Sequence, residues 1–453
     1  MMRYIDEYKA KLCSADEAVK IIKSGDLVDY GTFANEVVEL DKALAKRKGE
    51  LENVYIRSAA RVYGPPMVVL ADPQKESFIF NSGHFTLIDR RVHDYGLCYY
   101  IPILFRECPS YVNYTRCDVA MIAVSPMDEH GYFNFGLSNT FTRAVLNIAK
   151  KVIVEVNPKL PRVPGGNNEC VHISEVDMIV EADWNVPPIP EIPITGVDQK
   201  IASLVMNELE DGACIQLGIG GMPNALGKLI AQSDLKDLGA HTEMLCDAYL
   251  DMWEAGKLTG KRKNIDRGKM VFTFALGSKR LYEFLDNNPA VASYSVDYTN
   301  YPHIIAQNDK VVSINGAMEV DLFGQVAAES SGTRQVSGTG GQVDFVEGAY
   351  LSRGGKAFLC LPSTYTDKNG VIHSRIKPTL SPGTMVTTPR AMVMYLVTEY
   401  GIANMKCKST WERAEALVEL AHPDFREELI REAAKMNIWT RTNKKPTMEQ
   451  MAG

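Results

Sequence analysis

Short apolar runs alternate with helical patterns along most of the chain, and this alternation limits the folds that the chain can adopt. The apolar runs are rich in β-branched residues, as expected for strands that are buried on both faces of a sheet. Strands and helices that alternate in this way predict an α/β protein with largely parallel sheets. The predicted strands lie at 119–124, 152–156, 178–180, 214–217, 270–274, 311–314 and 357–360, and the predicted helices include 198–209, 223–231 and 411–421.

A proline-rich segment divides the chain of 453 residues into two halves. The sequence of 185–194 is NVPPIPEIPI, and four prolines in ten residues predict an extended linker, because proline fixes φ and lacks a donor. On either side, 14–46 and 197–232 share a weak pattern of helix, acidic-glycine turn, short strand, glycine turn and helix. We therefore predict two similar open α/β domains, at 1–186 and 197–440, joined by a linker at 187–196. A chance match between two generic βα units is the alternative.

The overall charge and the cysteines restrict the functional class. The formal net charge is −7, which argues against nucleic acid as a partner but leaves room for a small anionic ligand. The nine cysteines are scattered and no CxxC pair occurs, so reduced thiols in a cytoplasmic protein are expected instead of a disulfide framework. The charged N-terminus is unlike a signal peptide, and no apolar run of about 18 residues predicts a membrane span.

Several common catalytic motifs are missing from the sequence. GxxxxGK[ST], HExxH and GxSxG do not occur, which removes the usual signatures of P-loop proteins, zinc hydrolases and serine hydrolases. No GxGxxG follows a predicted strand, which argues against a dehydrogenase. The eight histidines show no metal-ligand spacing. We expect neither a metal nor a permanently bound cofactor.

Two glycine clusters remain as candidate ligand-binding loops. Gly218, Gly220 and Gly221 lie between the strand at 214–217 and a helix, where exposed N–H groups suit an anion. The second cluster, SGTGGQVDF at 337–345, has three glycines in four positions, and its N–H groups suit a phosphate or a developing oxyanion. A plain tight turn and a flexible surface loop are the respective alternatives.

Glu243 lies between these clusters and is a candidate nucleophile. It follows a glycine turn in the largely uncharged stretch GAHTEMLCD at 239–247, close to His241. A carboxylate that is held on a short turn and partly desolvated can act as a nucleophile. A solvated surface charge is the alternative, since most carboxylates are exposed.

Five motifs in a fixed order resemble the acetyl-CoA hydrolase/transferase family of class I CoA transferases. They are LGIGGMPNA, HTEM, DYTNYP, SGTGGQVDF and VTEYGIA. The similarity is strong from 217 to 425, and the first half contributes VSPMDEHGYFNFG at 124–136, which is similar to the family's SPxDxxGxxxxG element. Within the family, the chain is most similar to butyryl-CoA:acetate and 4-hydroxybutyrate CoA-transferases.

The resemblance implies roles for individual residues. Glu243 of HTEM would be the catalytic nucleophile, and Asn300 of DYTNYP would hold the reacting carboxylate or the glutamyl group. Glu399 of VTEYG would lie near the active site. The residues that would contact coenzyme A are Gly218, Ile219, Gly220, Gly221, Met222, Met318, Ser337, Gly341 and Lys368.

The implied activity is the transfer of CoA between short-chain carboxylic acids, with butyryl-CoA and acetate as the substrate pair. The reaction would be ping-pong, through a glutamyl-CoA thioester on Glu243, and the CoA thioester would be a substrate and not a resident cofactor. A 4-hydroxybutyrate CoA-transferase and an acyl-CoA hydrolase are the alternatives. We expect the site in the cleft between the two domains and a cytoplasmic homodimer or higher homo-oligomer.

Overall fold

Two open β-sheets, one in each half of the chain, form the framework of the protein. The computed structural model describes residues 4–190 and 192–438. The strands of the first half are β1 (Leu27–Thr32), β2 (Val54–Ala59), β3 (Phe78–Ser82), β4 (Tyr99–Tyr100), β5 (Cys117–Val124), β6 (Tyr132–Asn134), β7 (Ala149–Val156), β8 (Cys170–His172) and β9 (Met178–Glu181). Its α-helices are α1 (Ile5–Lys11), α2 (Ala15–Ala18), α3 (Glu39–Ala45), α4 (Met67–Ala71), α5 (Leu87–Asp94), α6 (Cys108–Tyr111) and α7 (Thr142–Ile148).

The second half contains more short strands, most of which lie in loops beyond the main sheet. The strands are β10 (Cys214–Leu217), β11 (Gly239–His241), β12 (Met244–Leu245), β13 (Met270–Phe272), β14 (Phe274–Ala275), β15 (Val291–Ser293), β16 (Val311–Gly316), β17 (Glu319–Asp321), β18 (Val326–Ala327), β19 (Ser330–Ser331), β20 (Arg334–Gln335), β21 (Lys356–Cys360), β22 (Thr364–Thr366), β23 (Ile372–Ser374), β24 (Ile376–Lys377), β25 (Tyr395–Thr398) and β26 (Gly401–Asn404). The helices are α8 (Gly196–Met206), α9 (Gly221–Gln232), α10 (Asp247–Glu254), α11 (Lys279–Leu285), α12 (Val296–Thr299), α13 (Pro302–Ile305), α14 (Gln342–Leu351), α15 (Thr410–Leu420) and α16 (Pro423–Lys435).

The two sheets repeat one topology. The first has the order β4-β3-β2-β1-β5-β7-β9, and all of its neighbouring strands are parallel. The second has the order β15-β13-β11-β10-β16-β21-β25-β26 and departs from the parallel pattern only at its last pair. The first strand of each half therefore lies in the middle of its sheet. The direction of chain progress reverses there, and the loops that diverge at the carboxyl ends leave a crevice.

The predicted strands are found with small changes at their ends. All eight residues of β5 are buried, as the continuous apolar run indicated. The predicted strand at 270–274 is interrupted, because β13 ends at Phe272 and β14 begins at Phe274. The carbonyl oxygen of Thr273 accepts the N–H groups of Asn139 and Thr140, at 2.9 and 3.3 Å, so this residue bonds to the other half of the chain instead of continuing the sheet.

The described residues of the proline-rich segment, 185–190 and 192–194, have no regular secondary structure. Thr195 then caps α8, with a reciprocal bond between its backbone and Asp198. The predicted boundaries of the two domains and of the linker stay a prediction, and 439–440 of the second domain lie outside the described residues. Within the described residues, no helix is both long enough and apolar enough to cross a membrane.

Side chains from both halves form a single apolar cluster at their junction. Phe33 of the first half stacks on Phe274 of the second, with ring centroids 3.7 Å apart, and both belong to this cluster. The N–H of Ala275 donates to the carbonyl oxygen of Leu137 at 2.8 Å. Packing and backbone hydrogen bonds therefore fix the two sheets against each other, which defines the shape of any cleft between them.

The close approach of α13 and α14 requires a glycine. An ideal Cβ built on Gly348 would lie 2.6 Å from Cγ2 and 2.7 Å from Cβ of Ile305. We expect Gly348→Ala to lower the free energy of unfolding by about 1–3 kcal/mol through overpacking. Gly196→Ala is the matched control, since nothing lies within 4 Å of its Cβ position. Urea unfolding of both variants measures the difference, and equal midpoints would contradict the prediction.

Candidate functional site

The loops that leave the carboxyl ends of β10, β11 and β16 bring the candidate residues to one edge of the second sheet. Gly218 follows β10, Glu243 follows β11 and Met318 follows β16. β10 pairs with both β11 and β16. This is the reversal point of the sheet, where α/β proteins place their ligands. Strand order therefore brings residues that are far apart in the sequence to the same edge of the sheet.

The carboxylate of Glu243 is held by the amide of Asn300. Nδ2 of Asn300 donates to Oε2 of Glu243 at 2.7 Å and to Oδ2 of Asp344 at 3.1 Å. Asn300 follows α12 and is fully buried. One amide group thus bridges two carboxylates, and its rotation would break both hydrogen bonds. The predicted pair of Glu243 and Asn300 is brought together by the fold.

Asp344 is in turn anchored by the other half of the chain. Nη1 of Arg106 donates to Oδ1 of Asp344 at 3.0 Å and to Glu347 at 3.0 Å, and the N–H of Arg106 donates to Oδ2 of Asp344 at 3.2 Å. Asp344 is completely buried. A chain of hydrogen bonds therefore runs from Arg106 in the first half through Asp344 and Asn300 to Glu243.

Burial is the main perturbation of the acidic groups in this chain of bonds. Burial, with a smaller contribution from the charge of Asp344, outweighs the lowering effect of the hydrogen bonds from Asn300 and the N–H of Gly341 and raises the pKa of Glu243 to about 8. Burial likewise raises the pKa of Asp344 to about 6, against the lowering effects of Asn300 and Arg106. Most Glu243 side chains therefore carry a proton at neutral pH in the free site, and the anion depends on its N–H donors.

Gly341 lies against the carboxylate, where a side chain has no room. An ideal Cβ on Gly341 would be 1.9 Å from Oε2 of Glu243 and 2.4 Å from Nδ2 of Asn300. Gly341 also precedes α14, whose first N–H groups receive no side-chain cap. The carboxylate therefore lies at the positive end of a helix dipole, which favours negative charge at this point.

The remaining glycines of the second cluster lie against His84 of the first half. Cβ positions on Gly338 and Gly340 would lie 2.8 and 3.4 Å from the ring of His84. Burial, and the charge of Arg90, lower the pKa of His84 to about 4, so its ring is neutral at pH 7. Ser337, at the start of the loop, donates to the carbonyl oxygen of Ala328 at 3.3 Å.

The first glycine cluster forms an open turn before α9. Nothing lies within 4 Å of a Cβ position on Gly218, and Ile219 is 45% exposed. Gly220 has a φ of 135°, which favours glycine, and the helix after it has no side-chain cap. The turn therefore presents free N–H groups to a ligand. Among the described residues, this turn makes no hydrogen bond to Glu243. Sγ of Cys246, which lies on the loop after Glu243, is 3.7 Å from the carbonyl oxygen of Gly218 and links that loop to the turn.

Three other predicted residues make contacts or are exposed elsewhere. The carbonyl oxygen of Met318 accepts from Arg375 at 3.0 Å. Lys368 is exposed in the turn between β22 and β23. Both oxygens of Glu399 are engaged by Ser363, at 2.6 and 2.9 Å, so Glu399 joins two loops. The predicted contacts of these residues with coenzyme A stay predictions, as do those of Ser337 and 218–222.

A largely apolar cavity opens beside Glu243, with an empty volume of about 740 Å³ counted to its mouth. Most of its lining comes from the first half of the chain. The apolar lining consists of Phe33, Ala59, Ile101, Ile103, Phe105, Cys108, Phe141 and Phe274, and the polar side chains are Asp29, Arg57, Ser58, His84, Tyr111 and Glu243. The cavity places the carboxylate of Glu243 at the wall of a mostly apolar compartment.

Three residues of this site were not predicted from the sequence. Asp344 lies within the SGTGGQVDF motif, and its acidic position in the first turn of a helix was the available signal. Arg106 and His84 have no local signal, because only the contact between the halves brings them to the site. Within the described residues, no group of three or more His, Cys, Asp or Glu side chains is placed to hold a metal ion.

Comparisons with known proteins match the chain over nearly its whole length. Models of the acetyl-CoA hydrolase/transferase N-terminal and C-terminal domains match residues 1–191 and 277–433. The chain is 53% identical over 449 residues to the butyryl-CoA:acetate CoA-transferase of Anaerostipes caccae, a match that covers 98% of this chain and 100% of that protein. This chain belongs to the acetyl-CoA hydrolase/transferase family. The prediction from the five motifs is confirmed.

A second relative and a solved structure agree with this assignment. The 4-hydroxybutyrate coenzyme A transferase of Clostridium kluyveri is 41% identical over 443 residues, which cover 96% of this chain and all of that protein. The crystal structure of RipA from Yersinia pestis superposes with a TM-score of 0.89 at 38% identity and covers 97% of this chain and 100% of that one. The predicted α/β fold and the CoA-transferase class of enzyme are confirmed.

The two neighbours of Glu243 should shift its titration in opposite directions. We expect kcat/KM for an acyl-CoA to rise with pH through about 8, because the free enzyme must lose the proton of Glu243. Asn300→Ala removes a contact that lowers this pKa and should move the rise to higher pH. Asp344→Asn removes a charge that raises it and should move the rise to lower pH. Profiles that shift in the same direction would contradict this account.

A methyl group on Gly341 should block the site. Its Cβ would occupy the place of Oε2 of Glu243, and its φ of −93° permits alanine, so the defect should be local. We expect Gly341→Ala to lower kcat per folded enzyme by at least about 10²-fold, as for loss of an oxyanion donor, and to lower the melting temperature through overpacking against the buried Asn300. Gly316→Ala, with nothing within 4 Å, is the control. Normal turnover in Gly341→Ala would contradict the assignment of this loop to the site.

Proposed function

We propose that this enzyme transfers CoA between short-chain carboxylic acids, with butyryl-CoA and acetate giving butyrate and acetyl-CoA, through covalent catalysis by Glu243. The observation that carries the proposal is the position of the Glu243 carboxylate, which faces an apolar cavity and is held by Asn300. A desolvated carboxylate with fixed donors can serve as a nucleophile.

The proposed reaction begins with attack of the Glu243 carboxylate on the thioester carbonyl of butyryl-CoA. The C–S bond breaks, which gives a mixed anhydride between Glu243 and butyrate together with the CoA thiolate. The thiolate then attacks the glutamyl carbonyl of the anhydride, and butyrate leaves with the electron pair of the C–O bond. The product is a glutamyl-CoA thioester. Acetate reverses these steps and leaves as acetyl-CoA, so the kinetics are ping-pong.

Each tetrahedral intermediate needs N–H donors at its oxyanion. Nδ2 of Asn300 and the N–H of Gly341 already act on the Glu243 carboxylate, and they are the proposed donors for the intermediates formed on the glutamyl carbonyl. The open turn at 218–222 supplies N–H groups for the thioester carbonyl of the bound acyl-CoA. Loss of one such donor typically lowers the rate by about 10²–10³-fold.

Coenzyme A is assigned to the carboxyl edge of the second sheet. The proposed contacts are Gly218, Ile219, Gly220, Gly221, Met222, Met318, Ser337, Gly341 and Lys368. The long CoA chain supplies binding energy remote from the reacting bonds, which can offset the strain of attack at the thioester. The proposal includes a cytoplasmic location and a homodimer or higher homo-oligomer, and it requires neither a metal nor a bound cofactor.

Two alternatives keep the same nucleophile. A 4-hydroxybutyrate CoA-transferase differs only in the acid that the cavity accepts. An acyl-CoA hydrolase needs a water molecule placed to attack the glutamyl thioester. The apolar side chains around Glu243, among them Phe33, Phe105 and Phe274, favour an acid over water at this place.

A single assay separates transferase from hydrolase. Purified protein is incubated with butyryl-CoA, with and without acetate, while acetyl-CoA and free CoA are followed. We expect acetyl-CoA only when acetate is present, with little free CoA. Without acetate, the intact mass should increase by that of CoA less one water, as a glutamyl-CoA thioester requires. Free CoA released without acetate would indicate a hydrolase instead.

The matched variants are Glu243→Gln and Glu283→Gln. Glu243→Gln should abolish both acetyl-CoA formation and the mass increase, because an amide is a poor nucleophile and cannot form the thioester. The side chain of Glu283 is 66% exposed and pairs with Lys279 at 3.3 Å, so Glu283→Gln should retain full activity. Normal turnover by Glu243→Gln would disprove the proposed mechanism.

A further inference from the structure

The imidazole of His84 and the carboxylate of Glu243 border one narrow space in the wall of the cavity. His84 follows β3 in the first half, and Gly340 of the second half lies between the two side chains. An ideal Cβ on Gly340 would lie 3.4 Å from Cε1 of His84 and 3.8 Å from Oε1 of Glu243. A single carbon atom at this point would therefore be in van der Waals contact with both side chains. Both also line the apolar cavity.

The backbone of His84 is fixed by hydrogen bonds, whereas its ring is not. The carbonyl oxygen of His84 accepts the hydroxyl of Ser82 at 2.8 Å and the N–H of Ala60 at 2.9 Å. In the part of the chain that the structure describes, neither ring nitrogen has a hydrogen-bond partner. A polar group without a partner in an apolar wall is costly. The ring is thus placed for a partner that the protein does not supply.

The ring of His84 is a hydrogen-bond donor that keeps its proton. Burial, and the charge of Arg90, lower the pKa of His84 to about 4. The neutral ring carries one N–H group and one acceptor nitrogen at pH 7. It is a weak base, because proton transfer is most efficient when the pKa lies near the working pH. The N–H group makes its strongest hydrogen bond to an anion, so a carboxylate is the partner that suits this ring best.

The two oxygens of Glu243 have different surroundings. Nδ2 of Asn300 donates to Oε2 at 2.7 Å, and a Cβ position on Gly341 would lie 1.9 Å from the same atom. Oε1 is the oxygen that lies closer to Gly340, on the side of His84. The protein therefore occupies the surroundings of Oε2, and a group bonded to Oε1 would have its own oxygen in the space beside the His84 ring.

We propose that His84 is a catalytic residue whose ring N–H binds the carboxylate of the acid that leaves and enters at Glu243. This inference rests on the proposed function, because the acid reacts there only through the mixed anhydride. When the CoA thiolate attacks the glutamyl carbonyl, the C–O bond of the anhydride breaks and its electron pair goes to the leaving carboxylate. The N–H of His84 stabilises this charge as it develops, and the acid leaves as an anion without taking a proton.

The same hydrogen bond serves the second acid in the opposite direction. Acetate enters as an anion, and His84 would hold one of its oxygens while the other attacks the glutamyl thioester. Because the hydrogen bond is made to the reacting group itself, its loss should slow the chemical step and not only weaken binding. Activation of water by His84 is the alternative role, and its weak basicity argues against it.

The test compares two nucleophiles on the isolated glutamyl-CoA thioester. Wild type, His84→Leu and His84→Gln are incubated with butyryl-CoA until the thioester stops accumulating, and small molecules are removed. Acetate or hydroxylamine is then added, and the loss of the thioester is followed by intact mass. Hydroxylamine is a neutral nucleophile that attacks the same carbonyl without a carboxylate. Leucine removes both ring nitrogens, and glutamine retains an N–H donor. His130→Leu is the control, since the side chain of His130 is 75% exposed.

We expect His84→Leu to slow the reaction with acetate at least about tenfold, as for loss of a hydrogen bond to a charged group, and to leave the reaction with hydroxylamine unchanged. His84→Gln should recover most of the rate with acetate, and His130→Leu should match the wild type with both nucleophiles.

An unchanged rate with acetate in His84→Leu, or an equal loss with both nucleophiles, would overturn the inference. If His84→Leu forms no thioester, formation by His84→Gln supports the need for an N–H donor, and failure of both variants overturns it. A wild type that forms no thioester, or whose thioester does not react with acetate, would instead overturn the proposed function and this inference with it.

Discussion

A buried carboxylate must receive its hydrogen bonds from the protein, and the architecture of the site follows from this requirement. Asn300 gives Glu243 a hydrogen bond of 2.7 Å, and Gly341 brings an N–H so close that no side chain is possible there. Even so, burial keeps the pKa of Glu243 near 8. A pKa in this range means that the carboxyl group changes its protonation state close to neutral pH.

The two halves repeat one topology and contribute different parts of the site. The second sheet carries Glu243 and Asn300, whereas the first supplies most of the cavity wall and, through Arg106, the anchor of Asp344. The stack of Phe33 on Phe274 holds these parts together. A substitution at the junction of the halves therefore affects the geometry at Glu243 as well as stability.

Much of the fold and the centre of the site could be predicted from local patterns. The apolar run at 214–217 coincides with β10, and the order of five motifs identified the family and the pair of Glu243 and Asn300. The break in the strand at 270–274 could not be predicted, because Thr273 bonds to residues 133 or more positions earlier in the chain. The role of Arg106 in the site could not be predicted for the same reason, since 238 positions separate it from Asp344.

The sequence by itself determined the layers of the fold and the glycine turns and singled out Glu243 as the candidate reacting group, because periodicity, turn chemistry and motif order are local properties. Only the tertiary structure decided which groups surround that carboxylate. Desolvation of Glu243 depends on every atom that excludes water from it. The register of Asp29 with Arg57 arises when β1 and β2 pair. The contact of Arg106 with Asp344 arises when the two halves pack together. Burial and side-chain pairing exist only in the folded chain, so the folded structure determines the charge state of Glu243.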